Sequence, residues 1–191
     1  MMKIVLIRHG ESEGNVKHEI NDDPRRIVNL TERGRQQAAE AADRLHELPF
    51  THAYASQFAR AQQTAHILLR GLTLELGIDA RLNERISGMD GQPVGNFNEY
   101  VRDDYLHRKP PGGESFLEQM ARVRSFLDEL VLRHPTGMVL AVSHENPIIA
   151  ALTLQSDTPE TACLRKLANC EWVEMEWPAP GDLLSGNVEV L

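Results

Sequence analysis

Two short apolar runs, Ile4-Val5-Leu6-Ile7 and Met138-Val139-Leu140-Ala141-Val142, carry no polar residue that would mark a solvent face. Runs of this length and composition read as strands buried on both sides, which requires helices above and below a sheet. Helical patterns follow each run. From Thr31, an N-cap, Ala38, Ala41, Ala42, Leu45 and Leu48 recur at helical spacing until Pro49. A short strand candidate at 52–56 precedes Ala61, Thr64, Ala65, Leu68 and Leu69, a second helical pattern that ends at Gly71. Ser115 and Glu118 form a capping-box pattern, and Phe116, Met120, Val123, Leu127 and Leu130 mark one face of a long amphipathic helix. After the second buried run, Pro147 is expected as the first residue of a helix capped by Asn146. This alternation predicts a three-layer α/β/α sandwich with a mostly parallel central sheet, a single domain over residues 1–191. Val173, Met175 and Trp177 alternate with Glu174 and Glu176 in a half-exposed strand open to pairing, and residues 188–191 are expected to add a short edge.

Between Asn83 and Gly113 the periodicity is lost, and Gly88, Gly91, Pro93, Gly95, Pro110, Pro111 and Gly112 accumulate. A long irregular stretch inside a compact domain reads as a functional lid or cap, or as a disordered insert, here at about 85–113.

Charge and cysteine content narrow the function classes. With 20 Lys and Arg against 28 Asp and Glu, the net charge of −8 disfavours nucleic acid and anionic membranes as general partners. The N-terminal apolar run is too short for the core of a signal peptide, so a cytoplasmic location is expected. Cys163 and Cys170 have neither redox-motif nor zinc-ribbon spacing and read as structural thiols.

In open α/β sheets ligands bind beyond the carboxyl ends of the strands. Those ends carry Arg8-His9, the segment Ser56 to Arg60, and Ser143-His144, so two arginines and two histidines converge. Guanidinium forks match phosphate oxygens, and an imidazole serves as nucleophile, donor or cation. A phosphorylated ligand is the natural occupant.

The order of short motifs is more specific. Arg8-His9-Gly10-Glu11-Ser12 with Asn15, Ser56-x-x-x-Arg60-Ala61-x-Gln63-Thr64-Ala65, Asn83-Glu84-Arg85, Gly112-Gly113-Glu114-Ser115 and Val142-Ser143-His144 follow one another along the chain. Together they resemble the successive signatures of the phosphoglycerate-mutase-like histidine phosphatase superfamily. The stretch Gly10 to Asn15 and the late Asn169-Cys170-Glu171 are similar to its phosphatase branch more than to the glycolytic mutases.

The resemblance implies roles residue by residue. His9 attacks phosphorus and becomes a phosphohistidine. Arg8, Arg60 and His144, the last protonated when phosphate is bound, neutralise the phosphoryl oxygens, and Asn15 adds a neutral hydrogen bond. Ser56 and Glu145 are expected to meet the substrate. Glu84 protonates the leaving oxygen and then activates water. The family usually has glycine after the second histidine, whereas this chain has Glu145, a carboxylate that repels phosphate unless its side chain turns outward.

The expected activity is therefore a metal-independent, cofactor-free phosphatase acting on small phosphorylated metabolites. Three alternatives stand beside it: a cofactor-dependent phosphoglycerate mutase, a non-catalytic module that binds phosphorylated ligands, and a metal site built from His9, His144 and Glu84. Arg8 and Arg60 oppose the last, because two permanent cations repel a divalent ion. The remaining histidines, with His18 the nearest to the first loop, and Arg25, Arg26, Arg102, Arg108 and Lys109 read as structural or solvated charge.

Overall fold

The computed structural model describes residues 2–178 of the chain. In chain order the elements are β1 (Met2–Arg8), α1 (Glu13–Lys17), α2 (Glu32–Leu45), β2 (Phe50–Ala55), α3 (Ala59–Leu68), β3 (Leu76–Ile78), a 3-10 turn at Ala80–Leu82, α4 (Val94–Val101), α5 (Phe116–Arg133), β4 (Met138–Ser143), α6 (Glu145–Thr153), α7 (Pro159–Ala162) and β5 (Trp172–Trp177). The five strands form one sheet in the order β3-β2-β4-β1-β5. The first four run parallel, and β5 pairs antiparallel with β1 at one edge.

Strand alternation builds the two cores. Ile4 and Leu6 pack with Phe126 and Leu127 of α5 and with Ile148 and Ile149 of α6. Val5 and Ile7 point to the other face, against Ala38 and Ala41 of α2 and Ala61 and Ala65 of α3. Every residue of β4, held between β2 and β1, is buried, which is why its sequence is continuously apolar. The expected three-layer sandwich with a mostly parallel sheet is therefore the observed fold. Residues 188–191, expected as a short edge, lie outside the described residues.

The loop after β1 is clamped to α2 by a glycine contact. A Cβ on Gly34 would stand 2.0 Å from the carbonyl oxygen of Glu11, and one on Gly10 would stand 2.3 Å from the carbonyl oxygen of Gly34. Backbone therefore lies on backbone, and Thr31 joins the two by donating its N–H to Glu11 at 2.9 Å while its hydroxyl caps the Gly34 N–H at 3.0 Å. Gly34→Ala would ordinarily add about 1 kcal/mol in a helix, but the clash reverses the sign. Overpacking of this kind costs about 1–3 kcal/mol, so a fall in Tm of roughly 2–12 °C is expected by calorimetry. An unchanged Tm would mean that the loop yields freely.

Two local expectations are corrected. The segment 85–113 contains α4, which buries Phe97 and Val101. Val94, Phe97 and Val101 have helical spacing, but Pro93 and Gly95 obscured it. The segment is anchored by Arg85, whose guanidinium carbon lies 4.9 Å from the rings of both Phe97 and Tyr105 and whose Nε donates to the Glu114 carbonyl at 3.2 Å. The helix after β4 begins at Glu145, with His144 as N-cap, rather than at Pro147 with Asn146 as cap. Asn146 spends its side chain elsewhere, on Glu84 and Tyr105.

Candidate active site

Strands β1, β2 and β4 finish at one edge because Arg8 is in register with Ser143, and Ala55 with Val142. The ladder runs one residue further on each side: His9 donates its N–H to the Ser143 carbonyl at 3.0 Å, and Ser56 donates to the Val142 carbonyl at 3.1 Å. Backbone pairing thus holds the first histidine in place before any side-chain contact is made.

The hydrogen bonds of His9 select one tautomer. Its Nδ1 is 2.7 Å from the Gly10 carbonyl, which can only accept, so Nδ1 carries the proton. Its Nε2 then presents a lone pair, which receives the Arg60 Nε–H at 3.0 Å. The ring is 2 % exposed, and burial first, with the Arg60 and Arg8 charges behind it, holds its pKa well below the usual imidazole range. A neutral imidazole with a directed Nε2 lone pair is the protonation state a nucleophile needs.

Arg60, in the first turn of α3, organises the centre. Besides His9 it donates from Nη2 to His144 Nδ1 at 3.1 Å and to the Asn21 carbonyl at 3.1 Å, and from Nη1 to the Asn21 amide oxygen. Burial lowers its pKa to about 10, against the attraction of Glu84, so it stays charged at neutral pH. His144 is fully buried and also held well below its usual range, by burial first and then by the Arg60 charge. It is therefore neutral at pH 7. Its Nε2–H donates to Ser56 Oγ at 2.7 Å, and that oxygen also accepts the Phe58 N–H at 3.3 Å. Ser56 is therefore a fully buried support behind His144 and not part of the cavity wall, contrary to the sequence expectation that it meets the substrate.

The cavity of about 190 Å³ is lined by Arg8, His9, Asn15, Arg60, Glu84 and Glu145 together with residues of the 85–113 segment. Asn15 Oδ1 accepts from the Ser12 N–H at 3.0 Å, the Ser12 hydroxyl at 3.0 Å and Asn169 Nδ2 at 3.3 Å, so its amide donors are the end left for an anion. Asn169 also donates to the His9 carbonyl at 3.0 Å. Arg8 pairs with Glu145 at 2.9 Å and bonds the Leu167 carbonyl, while its buried Nε has no partner among the described residues. Glu145 thus turns onto Arg8 at the cavity rim and not outward into solvent.

Glu84 lines the same cavity from the irregular stretch that follows the 3-10 turn at Ala80–Leu82. Burial raises its carboxyl pKa above the ordinary range, opposed by the Arg85 N–H at 2.8 Å, the Arg60 charge and the Asn146 amide at 3.1 Å. The Tyr105 hydroxyl in turn donates to Asn146 Oδ1 at 2.6 Å. Sequence reasoning missed this chain from Tyr105 through Asn146 to Glu84, as it missed Asn21 and Lys166, because no local pattern marks a polar residue that acts across 41 or 62 positions. His18, by contrast, is an exposed C-cap with a φ of 52° and does not line the cavity. Among the described residues no three His, Cys, Asp or Glu side chains converge as a metal-binding group, and no helix is long and apolar enough to cross a membrane.

Comparison with known proteins gives a consistent neighbourhood. The profile described as "Histidine phosphatase superfamily (branch 1)" matches residues 4–185. A curated relative from Escherichia fergusonii, named "Probable phosphoglycerate mutase GpmB", is 28% identical over 200 residues, covering 95% of this chain and 90% of its own. The structure of mycobacterial glucosyl-3-phosphoglycerate phosphatase in complex with VO3 superposes with a TM-score of 0.80 at 26% identity, covering 91% of this chain and 90% of that one. Bacillus stearothermophilus YhfR gives a TM-score of 0.82 at 25% identity, with coverages of 92% and 91%.

Proposed function

Because the chain belongs to the histidine phosphatase superfamily, branch 1, we propose that it hydrolyses small phosphomonoesters through a phosphohistidine formed at His9. The observation that carries the reading is the fixed tautomer of His9, a cavity-lining imidazole whose unprotonated Nε2 accepts the Arg60 Nε–H at 3.0 Å. Two further features support it. The buried Nε of Arg8 and the amide donors of Asn15, without partners among the described residues, match phosphate oxygens. The cavity, about 190 Å³, is below the roughly 300 Å³ at which drug-sized ligand sites begin, which suits a small metabolite.

In the first step Nε2 of His9 bonds to phosphorus as the ester oxygen departs with the proton of Glu84. In the second, the Glu84 carboxylate takes a proton from water, the water oxygen bonds to phosphorus, and the N–P bond breaks to free phosphate and neutral His9. Arg8 and Arg60 hold the phosphoryl oxygens throughout. His144, expected from the sequence to neutralise phosphoryl oxygens, does not line the cavity; its Nδ1 accepts from Arg60, so in this reading it serves by orienting that guanidinium.

The assignment of Glu84 is tested by leaving-group dependence. Glu84→Gln is expected to lower kcat/KM about 10²-fold for an alkyl phosphate and far less for p-nitrophenyl phosphate, whose leaving group needs no proton. Equal losses would remove Glu84 as the acid. The pH profile gives a second readout. His9 must be neutral and Glu84 protonated; the first pKa is lowered and the second raised, so activity is highest on the acidic side and falls as pH rises through the Glu84 pKa. Glu84→Gln should lose that alkaline limb.

The relative's name keeps phosphoglycerate mutation as the second reading. Interconversion of phosphoglycerates that requires a bisphosphate primer would favour it, and release of inorganic phosphate without a primer favours hydrolysis. Activity abolished by EDTA and restored by metal would overturn the phosphohistidine route altogether.

A further inference from the structure

Glu145 places a carboxylate at the mouth of a site that the preceding reading assigns to a phosphate dianion. Its Oε2 lies 2.9 Å from Arg8 Nη1, and its Oε1 lies 3.6 Å from the Lys166 ammonium. Both Glu145 and Lys166 line the cavity, next to Asn146 and across from Tyr105. Burial first, and then the charges of Glu84 and Glu145, push the Tyr105 hydroxyl up to about 12 against the pull of Arg85. The Glu145 charge is therefore felt across the mouth.

Charge balance changes when a phosphoryl group arrives. A phosphoryl group held by Arg8 would compete with Glu145 for that guanidinium, the better of the carboxylate's two partners. Lys166 compensates little, since its side chain is 82% exposed and its pairing is screened by water. The other carboxylates of the wall do not share this situation: Glu19 is held by Arg26 at 2.5 Å, and Glu84 is protonated in the productive complex. One negative charge is left beside the leaving group.

Resting on the hydrolytic reading, we propose that Glu145 selects the leaving group by charge, favouring phosphomonoesters of amino alcohols and rejecting those that carry a carboxylate. An ammonium on the leaving group takes the place that Arg8 vacates. A carboxylate adds a second anion to the dianion and Glu145, in a partly desolvated pocket where like charges repel strongly. The same residue therefore disfavours phosphoglycerates, the substrates to which the name of the curated relative points.

The test compares three two-carbon monoesters at pH 7 and fixed ionic strength: O-phosphoethanolamine, 2-hydroxyethyl phosphate and 2-phosphoglycolate, which end in an ammonium, a hydroxyl and a carboxylate. Wild-type kcat/KM is expected to fall in that order, by about tenfold at each step. Glu145→Gln should compress the series to within about threefold, and Glu145→Lys should reverse it. The proposal is overturned if the wild type handles 2-phosphoglycolate as well as O-phosphoethanolamine, or if the spread survives in Glu145→Gln. Should the wild type hydrolyse none of the three and leave p-nitrophenyl phosphate intact, the hydrolytic reading has failed. The dissociation constants of the same three compounds, measured calorimetrically, then judge the charge selection by the same order.

Discussion

His9→Ala is expected to lower phosphomonoester hydrolysis by at least about 10⁴-fold, a loss on the scale seen when a covalent nucleophile is removed. Pocket electrostatics cannot replace a nucleophile, so the residual rate reports only bound substrate meeting water. The direct readout is the phosphoenzyme. Wild-type protein quenched during turnover of a labelled ester should carry acid-labile, base-stable phosphate, and His9→Ala should carry none. The geometry also specifies the atom. Nδ1 is committed to the Gly10 carbonyl at 2.7 Å while the unprotonated Nε2 accepts from Arg60 at 3.0 Å, so the N–P bond is expected at Nε2. Phosphate retained by His9→Ala, or found on Nδ1, would overturn this account.

Removing Arg60 has the second largest expected effect, because one guanidinium serves both histidines and the Asn21 loop. Arg60→Ala should cost about 10³-fold in kcat/KM, the loss expected when a preorganised cation is withdrawn from a dry site. Arg60→Lys should recover less than about tenfold of that loss. A point ammonium has no planar fork, and it cannot donate at once along the directions of His9 Nε2 and His144 Nδ1. A structural role alone would not predict the accompanying titration. The Arg60 charge lies behind burial as the second cause of the lowered pKa of both rings. In Arg60→Ala both imidazole pKa values should therefore rise, which NMR titration of the ring carbons measures. Unmoved values would mean that burial alone keeps the rings neutral.

Much of the scaffold was legible because its signals are local. The apolar runs that became β1 and β4, the Thr31 cap of α2 and the Ser115–Glu118 box of α5 each depend on neighbours within a few residues. The misreadings came where a side chain had a remote partner. Asn146 looked like a helix cap but is drawn to Glu84 and Tyr105, and the cap falls to His144. Ser56 sits in the expected strand-end position, yet it points behind His144 and away from the cavity. Helix α4 was hidden by flanking proline and glycine, although its apolar spacing is regular.

By itself the sequence determined which residues follow each buried strand, and hence that Arg8, His9, Arg60 and His144 gather at one sheet edge. Backbone periodicity and strand direction are enough for that inference. Only the tertiary structure decided which nitrogen of His9 is unprotonated, that a single guanidinium bridges His9 and His144, that Glu145 closes on Arg8, and that Tyr105 reaches Glu84 through Asn146. Each of these depends on the direction of a hydrogen bond or the distance between charges. Such quantities vary over a few ångströms and are set by packing between segments far apart in the chain, so no local pattern of residues encodes them.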